Sequence, residues 1–170
     1  MNTDSIDKAS IVAKEILKKN KTNQEAWLVY LIEATLNNYD KPFVELKEQN
    51  QEEELYIINL IFNNDLKFKS NNTEIAKSIY NIVTANSDQL SSYQNIYHVQ
   101  KLQNDNYLLF YFSLSLILNQ ALDEAYFYSA KIYQKLNNYK KAAELYNKIN
   151  NNHSLYLEGQ INVAKNKRHV

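Results

Sequence analysis

Apolar residues recur along this chain at the spacing of a helix face, three or four residues apart, almost from end to end. Ile75, Ala76, Ile79, Tyr80, Ile82 and Val83 form one stripe, opened by Asn72-Thr73-Glu74, a polar trio suited to capping a helix N-terminus. Tyr139, Ala142, Ala143, Tyr146 and Ile149 form another, and Tyr93, Ile96, Tyr97 and Leu102 a looser third. Glu52, Glu53 and Glu54 stand before Leu55-Tyr56-Ile57-Ile58, where the positive end of a helix dipole favours acid. Pro42 stands where a first helical turn begins, since proline lacks the N–H that such a turn leaves unpaired anyway. The pattern predicts about ten helices, over 7–19, 24–37, 42–49, 52–63, 73–85, 89–103, 106–119, 121–136, 139–149 and 154–167. The linkers are mostly two to five residues, the length that joins antiparallel helix pairs. The segment 107–118 is apolar on every side, but at twelve residues it is short of the ~20 that span a bilayer. It reads as a buried helix, and no membrane span is expected.

Composition narrows the fold further. The chain holds one glycine, Gly159, and one proline, Pro42. Sandwiches and barrels draw on both residues for tight turns, and phosphate loops and dinucleotide folds need glycine for close backbone approach. The loops are written in asparagine instead: Asn37-Asn38, Asn63-Asn64, Asn71-Asn72, Asn137-Asn138 and Asn150-Asn151-Asn152. Asparagine tolerates the left-handed backbone and caps helices, so it can stand in for glycine at helix ends. The bias towards Asn, Lys, Ile and Tyr, with Arg168 the only arginine, is that of an AT-rich bacterial type of genome. There is no cysteine, which excludes disulfides and thiolate metal sites. The polar, acidic start MNTDSIDKAS lacks the basic-then-apolar pattern of a secretory signal, and a cytoplasmic location is expected.

Net charge is zero, but residues 1–60 carry seven Lys against eleven Asp and Glu, and residues 121–170 carry eight Lys and Arg against four acids. Lys140, Lys141, Lys148, Lys165, Lys167 and Arg168 are interrupted by Glu144 and Glu158, so no nucleic-acid partner is expected.

The stretch 126–149 resembles a tetratricopeptide repeat, a helix–turn–helix that alternates bulky and small side chains. Tyr126, Ala130 and Tyr133 match the aromatic, small and aromatic positions of that family's first helix. Ala142 and Tyr146 match the small and aromatic positions of the second, with Tyr139 just before them. Ser129, Asn137 and Ile149 depart from the usual leucine, glycine and small residue, and the closing proline is missing. Fainter signals lie near 7–40, where Ala9 and Trp27 keep the interval between consecutive repeats, and near 106–136. In that last register Leu122-Asp123-Glu124-Ala125 would open a second helix; the Tyr126 register satisfies more positions.

The resemblance implies an all-α fold: a right-handed α-solenoid of antiparallel helix pairs, a single repeat domain over 1–170 clearest at 123–156. Each pair cannot bury its apolar face alone, so pairs stack and leave a long curved surface. Trp27, Tyr126, Ala130, Tyr133, Tyr139, Ala142 and Tyr146 are implied as repeat-packing residues. Glu124, Phe127, Lys131, Gln134 and Lys135 take the positions that line the concave surface, where two lysines beside an exposed Phe127 would suit an acidic, partly apolar peptide.

The expected function is therefore a non-catalytic protein-interaction module or scaffold with a protein or peptide partner. The rival is an enzyme with an all-helical active site. His98, His153 and His169 have no partner at metal-ligand spacing, and neither metal nor cofactor is expected. The last helix carries Leu155, Tyr156, Leu157, Ile161, Val163 and Ala164, more apolar surface than one face can bury. It predicts that the chain is a piece of a longer solenoid or self-associates through this helix.

Overall fold

The computed structural model describes residues 3–49, 56–62, 71–84 and 104–168. Among these the regular structure is wholly α-helical. In chain order the helices are α1 (Thr3–Lys19), α2 (Gln24–Leu36), α3 (Lys41–Glu48), α4 (Tyr56–Ile61), α5 (Asn72–Thr84), α6 (Asp105–Leu118), α7 (Asp123–Lys135), α8 (Tyr139–Tyr146) and α9 (Tyr156–Asn166). The helix expected over 89–103 lies outside the described residues, as does the start of the one expected over 52–63. No helix among the described residues is long and apolar enough to cross a membrane. The chain divides into two compact units, 1–86 with 117–119, and 87–116 with 120–170.

In the first unit α1 and α2 form a hairpin. Asn23 caps α2 by accepting from the Ala26 N–H at 2.8 Å, and Trp27 Nε1 donates to the Lys21 carbonyl at 2.7 Å, which ties the connection down. From Ala26 to Thr35 every residue of α2 is buried, as a helix apolar all round must be. The buried Gln24 side chain accepts from the Ile57 N–H at 2.8 Å, so α2 satisfies an otherwise orphaned donor at the start of α4. Phe43 of α3 meets Phe62 edge to face at 5.4 Å.

The second unit is built on α7 and α8. Its core gathers Tyr126, Phe127, Ala130, Ala142, Leu145, Tyr146, Ile149 and Val163, with Tyr133 and Tyr156 at the edge. Ala130 and Ala142 have no exposed surface, and the large Tyr146 ring lies among them, also wholly covered. Small residues let helices approach while aromatics fill the flanking space.

Ile149 occupies the place where the repeat pattern has a small residue, and Gly159 of α9 answers it. A Cβ at Gly159 would stand 3.2 Å from Ile149 Cδ1 and 3.4 Å from Tyr146 Cδ1. The chain's one glycine therefore sits in close contact with the end of α8 and the turn after it.

Asparagine does replace glycine at two helix ends. Asn38 and Asn137 have φ of 56° and 60°, the left-handed region. After α2 the Tyr39 N–H reaches back to the Ala34 carbonyl at 3.0 Å, and after α7 the Asn138 N–H reaches Tyr133 at 2.8 Å. Both are the six-to-one bonds that close a helix through a left-handed residue. Asn138 then caps α8 by accepting from the Lys141 N–H at 3.2 Å, so two asparagines suffice to turn the chain.

Candidate partner-binding surface

Helix α7 carries every residue projected onto the concave surface. Three contacts fix its neighbour on one side. Asp123 accepts from the Asn150 N–H at 3.0 Å, Glu124 pairs with His153 Nε2 at 3.4 Å, and Lys131 pairs with Glu158 at 3.1 Å. Partners advance along both segments in the same order, so the segment from Asn150 to Glu158, the turn before α9 and its first turn, runs alongside α7 in the same direction. At the other end Lys135 pairs with Asp105 at the start of α6, at 2.7 Å. Gln134 is half-buried and accepts from the Tyr146 hydroxyl at 3.2 Å.

One projected residue is placed differently. Phe127, expected as an exposed apolar contact, is 2% exposed. Its ring meets Tyr146 at 5.6 Å, and the Lys131 ammonium covers it at 4.7 Å from the centroid. A ring offered burial against another aromatic gains more than one left in water, and the cation on its outer side completes the cover. The exposed apolar residues nearby are others: Tyr128 on α7, and Leu157 and Ile161 on α9.

Among the projected residues the two lysines are balanced by acids. Both lysines already face an acid, which removes the bare positive patch that the sequence suggests. These pairs are largely exposed, and such pairs contribute ~0–1 kcal/mol. A carboxylate from outside can therefore exchange with Glu158 or Asp105 at little cost. His153 Nδ1 accepts from the Leu155 N–H at 3.3 Å, which leaves Nε2 to donate to Glu124.

The packing residues divide by depth. Trp27, Tyr126, Ala130, Ala142 and Tyr146 are buried, whereas Tyr133 and Tyr139 are half-exposed, the Tyr139 hydroxyl donating to Asn137 at 2.9 Å. Burial and the nearby Glu158 charge push the Tyr146 hydroxyl up to about 12, so it stays protonated as a donor.

A second polar cluster was not singled out from the sequence. Glu33, 8% exposed in the last turn of α2, accepts from Ser10 Oγ at 3.1 Å, from Asn37 Nδ2 at 2.9 Å and from the Tyr39 hydroxyl, with Lys14 at 3.6 Å. Burial pushes its carboxyl up, but the bonds from Tyr39 and Asn37, the Lys14 charge and the Ser10 bond together outweigh that and hold it below its ordinary value. Burial and the Glu33 partner push the Tyr39 hydroxyl strongly up. The carboxylate joins α1, α2 and the following turn. The one signal for it was an acid inside the apolar run Trp27-Leu28-Val29-Tyr30-Leu31-Ile32-Glu33-Ala34.

Among the described residues no group of three or more His, Asp or Glu side chains is placed to hold a metal ion. No protein-family model, curated protein or solved structure matches this chain.

Proposed function

We propose that this chain is a non-catalytic protein-interaction module of the tetratricopeptide type, a right-handed helical solenoid that holds a peptide or partner-protein segment in the cytoplasm. The observation that carries the reading is the course of segment 150–158 alongside α7 in the same direction, with Glu124, Lys131 and Lys135 in a row on α7 and Tyr128 exposed on the same helix. Helices stacked in this manner present a shallow surface instead of a closed cavity, and shallow surfaces recognise chain segments. Phe127 has a supporting role: it holds the Lys131 ammonium in place from below. Gln134 acts likewise, anchoring Tyr146 under the surface.

The occupant that fits is a segment with acidic side chains or a terminal carboxylate beside an apolar one. Affinity capture with cross-linking would identify it, and binding of the isolated segment would then be measured. Lys131→Glu with Lys135→Glu is expected to weaken binding about tenfold or more at low salt, and less at high salt. Equal affinity of parent and double variant would move the site off α7.

A further inference from the structure

The outward face of α9 carries exposed apolar side chains. Leu157 is 70% exposed and Ile161 48%, and Ala164 is exposed too. Spaced i, i+4 and i+7, they fall on one stripe of the helix. Glu158 and Lys165, seven residues apart, lie together on one flank of that stripe.

From this arrangement we propose that two copies of the chain associate through α9, antiparallel about a two-fold axis at Ile161. The rise of about 1.5 Å per residue sets the levels. Leu157 lies ~6 Å before Ile161 and Ala164 ~4.5 Å after it, so the two-fold brings each Leu157 to within ~1.5 Å of the level of the other copy's small Ala164 on the same stripe. Glu158 lies ~4.5 Å before and Lys165 ~6 Å after, so each Glu158, already beside Lys131 of its own chain, comes within ~1.5 Å of the level of the other copy's Lys165. A two-fold perpendicular to the helices keeps residues of one flank on the same side of the contact, so these opposite charges meet. Large therefore faces small, acid faces base, and Ile161 meets its own copy, as a self-complementary two-fold interface requires.

The exposed face of α1 fails the same operation. Ile11, Val12 and Ile16 are also exposed there, but a two-fold between Ala13 and Lys14 sets Lys8 against the other copy's Lys19. Like charges in the middle of the face oppose pairing. A single helix face places the α9 contact in the small interface class, under about 1,200 Å², so the dimer is weak and depends on concentration.

Sedimentation equilibrium over a concentration series tests this, with far-ultraviolet circular dichroism confirming that each variant folds. The parent is expected to pass from monomer to dimer. Ile161→Glu is expected to remain monomeric throughout, and Ile11→Lys to dimerise like the parent. Lys165→Glu sets acid against acid and is expected to raise the dimer dissociation constant about tenfold at low salt. Adding Glu158→Lys to that variant restores opposite charges across the axis and should recover most of the loss. A parent that is monomeric at every concentration, including one that dimerises only with a different helical chain, overturns the proposal. So does a dimer that survives Ile161→Glu, or a charge swap that recovers nothing.

Discussion

Replacing Gly159 tests how closely α9 approaches α8, and the magnitude can be worked from the contact distances. Alanine adds one methyl, 3.2 Å from Ile149 Cδ1 and 3.4 Å from Tyr146 Cδ1. The Ile149 atom is the free end of a flexible side chain and can retreat by a few tenths of an ångström. Against that small strain stands the gain from removing glycine from a helix interior, about 0.5–1 kcal/mol. Gly159→Ala is therefore expected within about 1 kcal/mol of the parent. Valine keeps roughly half of that propensity gain and adds two carbons where Tyr146 Cβ would already lie 3.8 Å from the first one. Overpacking of this kind costs about 1–3 kcal/mol, so Gly159→Val should lose about 1–2 kcal/mol net. In a chain of this length each kcal/mol lowers the melting temperature by about 2–4 °C. Trimming the opposing side chain completes the test. Ile149→Ala alone should cost about 2–4 kcal/mol, but combined with Gly159→Val it should cost clearly less than the sum, by about 1–3 kcal/mol. Urea unfolding followed by circular dichroism at each corner of this cycle supplies the four values. Additive costs, or a valine variant melting like the parent, would refute the contact.

Glu33→Gln is expected to destabilise the first unit by about 1–3 kcal/mol, because the buried Ser10 hydroxyl loses a charged acceptor that it cannot replace, and the Tyr39 and Asn37 donors lose theirs as well. Its carboxyl is lowered in the folded state, so its contribution is present above the ordinary carboxylate value of about 4.3 and is lost as pH falls from there through the folded value. Stability of the parent measured from pH 7 downward should therefore drop more steeply in acid than that of Glu33→Gln; parallel curves would place no charge at Glu33. Asn137→Ala should cost about 1 kcal/mol, since an ordinary side chain resists φ of 60°, while Asn137→Gly should melt at or above the parent. Thermal melts compare the two directly, and alanine as stable as glycine would contradict the left-handed turn.

The all-helical character was legible in the chain itself. Periodicity of three to four residues specifies helices wherever it is sustained, and near absence of Gly and Pro removes the alternatives, because both effects are local to the backbone. The asparagine pairs could be read as helix ends for the same reason: the left-handed turn at Asn38 and Asn137 is a property of one residue and its neighbours. Boundaries among the described residues moved by about one turn at most, with α1 beginning at Thr3 and α8 ending at Tyr146.

Which way each helix faces was a different matter. On α7 the apolar residues Tyr126, Phe127, Tyr128, Ala130, Ile132 and Tyr133 circle almost the whole helix, so periodicity alone cannot say whether Phe127 or Tyr128 turns inward. Only the position of α8, with Tyr146 against Phe127, decided it. The acids that meet Lys131 and Lys135 lie twenty-seven residues ahead and thirty behind, at Glu158 and Asp105, separations over which no sequence pattern couples two charges. The answer of Gly159 to Ile149, and the four partners that hold Glu33 buried and charged, belong to the same class. Helix formation is settled within a few residues of chain, whereas volume and charge are balanced only among side chains that packing brings together.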